Sequence, residues 1–481
     1  MRRVCRFLSV VAFALAAALL LPIAWGLYDG GRGLGPLLLT LLLCAGVCIA
    51  MRAVGRGARF QEMRMKEALL AVPLSWLLAS LLVGLPYRFD ASVPTLLDAF
   101  FEGVSGFTTT GASVIPDLGR VPRSILLWRS FSQWIGGVGI VVLALAVLPA
   151  SSAGMQLYRS EVAGPVHERL TPRIQQTAAF LWKTYVTLTT IQIALLLFGG
   201  LGLFDAMTLA FGTLATGGFS PYADNVGHFD SSYVKWVTAV FLFLAGANVT
   251  LFHAMLAKRS LSPLWKNPEF RFYAFLLLLF GVATSSLLYL GGVFASVRTA
   301  SLEGFFTCVS MLSTCGYFIS DYNAWPSSVR SLMLILMFCG GCATSSAGGI
   351  TCLRVRIVLR HVGAEFRRLL HPRAVIPTRL GEEAVDSGVI SSCFAFVIAY
   401  VALFLAGFGA LALFGQDMTT AISGAAATLG NVGPGFGMIG PTESYAAQPG
   451  GVKVVYILLM LCGRLEIFPL LVVFTPSFWR R

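Results

Sequence analysis

The chain has 481 residues, of which 57% are hydrophobic and only 12% charged. A soluble domain carries about 25% charged residues, so this composition excludes a chain built mainly of water-facing domains and makes a membrane protein the only plausible class. The net charge of +13 is dispersed between apolar stretches, which argues against nucleic-acid binding and turns charge into a marker of topology.

A membrane span needs about 20 apolar residues to cross roughly 30 Å of hydrocarbon. Ten segments qualify: 7–28, 34–51, 67–86, 124–149, 178–200, 233–257, 272–292, 327–360, 387–414 and 452–475. A basic start such as Arg2, Arg3 and Arg6 before an apolar run is shared by signal peptides and first spans. The length of the first run and the hydrophobic segment directly after it favour a retained span. With an even number of spans and a cytoplasmic start, 25 of the 35 basic residues fall on inside segments, eight outside, and two, Arg129 and Arg464, within spans. That asymmetry obeys the positive-inside rule and assigns both termini to the cytoplasm.

After the third span, residues 97–107 are too short to cross, and Phe100, Phe101, Val104 and Phe107 recur at helical spacing, which predicts a half-membrane helix. It runs into TTTG at 108–111. Comparable Gly-ended segments recur as LATG (214–217), STCG (313–316) and GNVG (430–433), with the glycines 106, 99 and 117 residues apart. Shifting the first repeat by 205 residues lays Phe101 on Phe306, Ser105 on Ser310, Thr109 on Thr314 and Gly111 on Gly316. The second and fourth match less closely. The expected fold is an all-α polytopic membrane protein: two extra transmembrane helices (1–60), then four span–pore helix–span repeats (61–165, 166–262, 263–375 and 376–481) around a pseudo-fourfold pore.

Irregular backbone survives at membrane depth only when buried in protein or lining a water-filled path. Glycine reaches backbone angles closed to other residues, and threonine adds a hydroxyl oxygen beside its carbonyl. Four such loops around one axis would replace the water shell of a monovalent cation. The candidate ligands are Thr109, Thr110 and Gly111; Ala215, Thr216 and Gly217; Thr314, Cys315 and Gly316; and Asn431, Val432 and Gly433. No carboxylate lies within the quartets, which disfavours calcium and magnesium.

Segment 327–360 would be about 51 Å long as one helix, far more than a membrane needs. The polar, flexible TSSAGGI at 344–350 predicts a break, with Thr344, Ser345, Ser346, Ala347, Gly348 and Gly349 as a gate; the alternative is a kink before a cytosolic extension. CGGC at 339–342 has the spacing of a redox or metal pair, yet no histidine or second CxxC accompanies it, and close helix packing explains it better. Arg464 lies inside the last span, where burial of its charge costs at least about 2.5 kcal/mol. It either acts within the membrane or snorkels to the interface beside Glu466.

Four segments, DAFFEGVSGFTTTG (98–111), WRSFSQWIGGVG (128–139), GNVGPGFG (430–437) and GRLEIF (463–468), resemble the TrkH/KtrB family of bacterial potassium uptake proteins, over almost the whole chain. The extra pair of spans sets it nearer TrkH than the shorter KtrB. The resemblance implies a single-chain potassium pore in the bacterial cytoplasmic membrane, a homodimer, and control by a cytosolic TrkA-type nucleotide-binding ring. It also implies that loop 344–349 closes the pore beneath the filter and that Arg464 is an electrostatic barrier. The chain has no GxGxxG in a βαβ context, so nucleotide control would come from the partner, and no organic cofactor is expected. Family members that pass sodium tend to carry Ser in place of the first filter glycine, so Gly111 favours potassium. Cys315 stands where relatives usually carry Thr, which would remove a hydroxyl from the filter's inner edge and make flux sensitive to a small thiol reagent. Thr351 stands where relatives usually end the gate loop in Lys. Two further readings remain: a sodium- or proton-coupled symporter on the same scaffold, and a polytopic membrane enzyme, for which the sequence offers no HExxH, no GxSxG and no acidic pair facing one cavity.

Overall fold

The computed structural model describes residues 1–58, 63–139, 174–381 and 383–480. Helices dominate. α1 (Arg2–Ala18) and α2 (Leu20–Tyr28) make one bent span, and α3 (Leu34–Val54) returns beside it. A long helix, a short one and a medium one then follow in order: α4 (Met65–Phe89), α5 (Leu96–Phe107) and α6 (Arg123–Val138). The same order returns as α7 (Ile174–Phe198), α8 (Leu203–Leu214) and α9 (Ser232–Ala245), the last continued by α10 (Val249–Lys258). After the short α11 (Ser262–Lys266) come α12 (Pro268–Leu290), α13 (Val297–Leu312) and α14 (Ser327–Cys339), continued by α15 (Cys352–Leu370). The hairpin β1 (Arg379–Leu380) and β2 (Glu383–Ala384) leads into α16 (Ser387–Leu413), α17 (Met418–Leu429) and α18 (Gly450–Arg464), then α19 (Phe468–Val473) and α20 (Pro476–Trp479).

The ten expected spans divide into two kinds. Among the described residues, six are helices long and apolar enough to cross a membrane: 2–28, 34–54, 65–89, 179–198, 268–290 and 387–413. The other four, α6, α9, α14 and α18, stop after 16, 14, 13 and 15 residues. The sequence reading expects a break only in segment 327–360. Instead the helix also stops at Gly246 and Leu465, and α6 ends at Gly139; residues 140–149 of the fourth expected span lie outside the described residues. The cause is local. Gly139 (φ 79°) and Gly340 (φ 68°) take left-handed angles that end a helix, and Glu466 (φ 55°) and Ile467 (φ 58°) turn the chain the same way after α18. Hydropathy alone reads through these points because the residues on both sides are apolar.

The short helices α5, α8 and α17 have 12 residues and α13 has 16, or about 18–24 Å at 1.5 Å per residue, too little to cross. Three begin with side-chain caps: Thr95 accepts from the Asp98 amide, Ser296 from that of Arg298 and Asp417 from that of Thr420. Val4, Phe7, Val11 and Leu15 of α1 are buried against the bundle. Leu42, Leu278, Ile398 and Leu405 are exposed on the long helices, as lipid-facing side chains would be. Arg3 pairs with Glu67 at 3.0 Å, and the Lys66 ammonium donates to the Phe478 and Arg480 carbonyls at 3.2 and 2.9 Å. The two termini and the loop before α4 therefore share one face of the molecule, the face that the basic residues assign to the inside.

Candidate functional site

All four short helices close in the same way. The amides of Thr110, Gly217 and Cys315 turn back to the carbonyls of Ser105, Gly212 and Ser310 at 2.8 Å, and that of Val432 to Ala427 at 2.7 Å. The residue before each of these amides is left-handed: Thr109 (φ 55°), Thr216 (φ 51°), Thr314 (φ 57°) and Asn431 (φ 54°). This helix-ending turn ordinarily takes glycine there. A branched threonine costs about 1–3 kcal/mol in that conformation, and such strain persists where surrounding structure enforces it, typically at functional sites.

Two residues past each left-handed position stands a glycine, also with positive φ: Gly111 (85°), Gly218 (79°), Gly316 (77°) and Gly433 (99°). This corrects the register of the second repeat. The equivalent of Thr109, Thr110 and Gly111 is Thr216, Gly217 and Gly218, so the sequence triplet Ala215, Thr216, Gly217 stands one residue early. Ala215 is the right-handed cap of α8 (φ −71°, ψ −13°). A signal for this was present in the sequence: Ser220 follows Thr216 and Gly218 as Ser113 follows Thr109 and Gly111.

The four glycines join the loops into a closed ring. A Cβ on Gly111 would collide with the Gly217 carbonyl, on Gly218 with that of Cys315, on Gly316 with that of Val432, and on Gly433 with that of Thr110. Each loop therefore packs its glycine against the carbonyl before the glycine of the next loop, and the fourth returns to the first. The negative ends of four helix dipoles meet at this ring, a setting that favours a cation.

Side chains from outside the loops hold the ring in place. The Gln133 amide donates to the Gly217 carbonyl while its oxygen accepts from the Phe219 amide at 3.1 Å. Asn225 donates to the Gly218 carbonyl at 3.2 Å, Tyr317 to that of Phe219 at 3.2 Å and Tyr445 to that of Gly433 at 2.7 Å. Asn431 Nδ2 crosses to Thr110 Oγ1 at 2.9 Å. Arg129 is buried and pairs with buried Glu102 at 2.7 Å, donates to the Ser220 carbonyl at 2.9 Å and lies 3.4 Å over the Phe219 ring. Sequence reasoning noted Arg129 only as a charge within a span and missed Gln133, Tyr317 and Tyr445 as supports. Gln133 lay inside a quoted motif; the tyrosines carried no signal short of three dimensions. A cavity of about 400 Å³ opens beside the ring, with Gly111, Asp117, Arg129, Gly218, Asp224 and Glu443 in its wall.

The Cys315 thiol departs from expectation. It is fully buried, with Sγ 3.8 Å from the Gly212 carbonyl, and Thr110 Oγ1 at the matching position also turns away, toward Thr108 Oγ1 at 2.7 Å. The exchange of Thr for Cys therefore falls behind the ring, in the packing against α8, and not at its inner edge.

On the other side of the ring lies the break between α14 and α15. It spans residues 340–351 and so begins before Thr344. The Gly348 amide donates to Thr314 Oγ1 at 2.8 Å, which ties this loop directly to the ring. The Thr344 hydroxyl donates to Asn248 Oδ1 at 2.7 Å, and the Cys342 amide to the Gly246 carbonyl at 2.8 Å, both within the break after α9. Arg464 donates to the Ser346 carbonyl at 2.7 Å and to those of Gly136 and Gly137 at 2.8 and 3.2 Å. Glu466, the carboxylate expected beside Arg464, pairs with Arg354 at 2.9 Å. Residues 344–349 and Arg464 thus line one cavity of about 130 Å³, together with Tyr185, Leu214 and Ala245.

The profile of a family described as "TrkH: Cation transport protein" matches residues 45–481. A relative from Salmonella typhimurium named "Trk system potassium uptake protein TrkH" is 39% identical over 422 residues, 87% of each chain. One of the same name from Vibrio parahaemolyticus is 36% identical over 488 residues, covering 100% of this chain and 99% of its own. The crystal structure titled as the potassium transporter TrkH from Vibrio parahaemolyticus superposes with a TM-score of 0.90 at 33% identity, over 100% of this chain and 99% of that one. The multi-pass helical architecture agrees with these matches, and the chain belongs to the TrkH family of cation transport proteins.

Proposed function

We propose that this chain takes up potassium through the ring of loops, and that the ring is its selectivity filter. The observation that carries this reading is the closed circuit of four glycines against four neighbouring carbonyls, all at the ends of half-length helices. In the corrected register the ion-facing backbone comprises Thr109 to Gly111, Thr216 to Gly218, Thr314 to Gly316 and Asn431 to Gly433. Carbonyl oxygens there would stand in for the hydration shell of a dehydrated potassium ion. Potassium is cargo, and the work consists of coordination and gating with no covalent chemistry.

Loop 340–351 is the gate in this reading, and Arg464 is the positive barrier that also latches it. Four repeats follow the two N-terminal helices with the boundaries expected from sequence, in a bacterial cytoplasmic membrane with both termini inside. Relatives named as part of a Trk system support partner subunits; a homodimer under a TrkA-type nucleotide-binding ring fits a chain whose gate loop ends in a helix, α15, on the inner face.

The test is rubidium uptake into liposomes holding the purified chain, with potassium or sodium as competitor and with or without a pH gradient. Potassium should compete strongly and sodium weakly, without need of the gradient. Equal competition by sodium would reject potassium selectivity, and uptake only under a gradient would favour a proton-coupled symporter.

A further inference from the structure

The face that carries both termini contains a second hollow, of about 600 Å³, away from the ring. Its wall draws basic residues from three stretches far apart in sequence: Lys266 and Arg271 around the start of α12, Arg356, Arg360 and Arg367 on α15, and Arg379 on β1. Among the described residues no carboxylate lines it and none of the six takes part in an ion pair; the buried Glu269 carboxylate acts on Arg356 from outside the wall.

A preference for basic residues on the inner face accounts for their side of the membrane. It does not account for six of them turning into one hollow. Other arginines on this face are neutralised: Arg3 by Glu67, Arg354 by Glu466 and Arg368 by Glu365. Like charges gathered in a concave wall repel one another and create a strong positive potential. Arg356 is half-buried, and its guanidinium donates to the carbonyl of Pro268, itself part of the wall at the start of α12. Guanidinium forks match phosphate oxygens in geometry as well as charge, and the volume falls within the range of small-ligand cavities.

We propose that this hollow binds a multiply charged phosphate group, either a soluble diphosphate or the paired phosphates of an anionic lipid headgroup. Bound there, the anion ties α12 to α15, and α15 continues directly from loop 340–351. The proposal concerns a site apart from the ion path and does not depend on which cation the ring conducts.

Two probes distinguish the sources. Pyrophosphate is titrated calorimetrically into the purified full chain in neutral detergent. Separately, the chain is placed in phosphatidylcholine nanodiscs with and without cardiolipin, and retained lipid is measured by native mass spectrometry. The test variant combines Arg271→Gln, Arg360→Gln and Arg367→Gln, all exposed; a control of equal charge combines Arg52→Gln, Arg56→Gln and Arg480→Gln, exposed on the same face but outside the hollow. Binding of at least one probe should weaken about tenfold in the test variant and stay unchanged in the control, since each lost charged hydrogen bond is a substantial share of such an affinity. Pyrophosphate binding identifies a soluble phosphate as sufficient, and cardiolipin retention alone identifies the headgroup. Absence of both, or an equal loss in the two variants, overturns the proposal. Should the triple variant fail to fold, Arg360→Gln alone against Arg56→Gln carries the same comparison.

Discussion

The ring and the gate loop are built from the same small residues, yet they are held in opposite ways. Each loop of the ring closes the end of a helix and packs its glycine on a neighbouring carbonyl; the second is braced from behind by Gln133 and Asn225, with Tyr317 on Phe219 just beyond it, and the fourth by Tyr445. Loop 340–351 has its own positive-φ residues, Gly340, Thr344, Gly349 and Thr351. Its ties to the walls are separate bonds: Cys342 to Gly246, Ala343 to the Glu269 carboxylate, Thr344 to Asn248, Gly348 to Thr314 and Arg464 to Ser346. At about 1 kcal/mol for a neutral bond and about 1.5–3 for a charged one, these five sum to roughly 6–9 kcal/mol. A ligand or partner must supply about 5.5 kcal/mol of differential binding to turn a 1:99 equilibrium into 99:1. If the loop is the gate proposed above, its latch is of the same order as the differential binding a regulatory partner would have to supply, whereas the ring is interlocked all round by its glycine–carbonyl circuit.

The largest effect sharpens the ring side of that contrast and tests its register. Gly218→Ala places a side chain at φ 79° and against the Cys315 carbonyl, which is backbone and cannot move aside. The nearest atoms that Gly217→Ala meets all belong to the Gln133 side chain, which can shift where backbone cannot. Rubidium uptake should fall about a hundredfold in Gly218→Ala, from left-handed strain plus overlap, and clearly less in Gly217→Ala. The reverse order would restore the register read from sequence alone.

Arg464→Ala is the next largest and acts on the gate. It removes charged hydrogen bonds to the Ser346, Gly136 and Gly137 carbonyls and lifts a positive charge from the ion path. Flux through the purified chain without any partner should rise about tenfold, corresponding to about 1.4 kcal/mol off the latch. Unchanged flux would mean that Arg464 braces the helix end and does not hold the gate.

The four short helices and the loops that end them were legible because polar, conformationally special residues directly after a short apolar helix are rare enough to stand out four times. The sequence misled in the second repeat because Gly217 and Gly218 are adjacent, and only backbone angles say which of them occupies the left-handed position. It also read α9 and α18 as parts of unbroken spans, since a turn at Glu466 and Ile467 leaves no mark on hydropathy. The supports of the ring were illegible for a different reason. Tyr445 reaches Gly433 from 12 residues away and Gln133 reaches Gly217 across 84, so their role exists only after the repeats have packed.

The two smallest effects separate the faces of the third loop. Thr314→Gly relieves left-handed strain and deletes the acceptor for the Gly348 amide. It should raise partner-free flux about fivefold through loss of one latch bond of about 1 kcal/mol, with thermal stability unchanged or higher. A fall in flux at unchanged stability would show that this hydroxyl serves the ion more than the latch. Cys315→Thr replaces a thiol packed 3.8 Å from the Gly212 carbonyl, behind the ring; the new hydroxyl keeps that carbonyl as its partner, a bond of about 1 kcal/mol net that offsets its burial, so uptake should stay within about twofold. A small methanethiosulfonate reagent added to the native chain should likewise leave uptake intact, because the sulfur is fully buried away from the path. Inhibition of the native chain that disappears in Cys315→Thr would put the sulfur within reach of the pore. The third loop would then have to move by the width of a side chain during conduction, and the distinction between an interlocked ring and a latched gate would fail at this point.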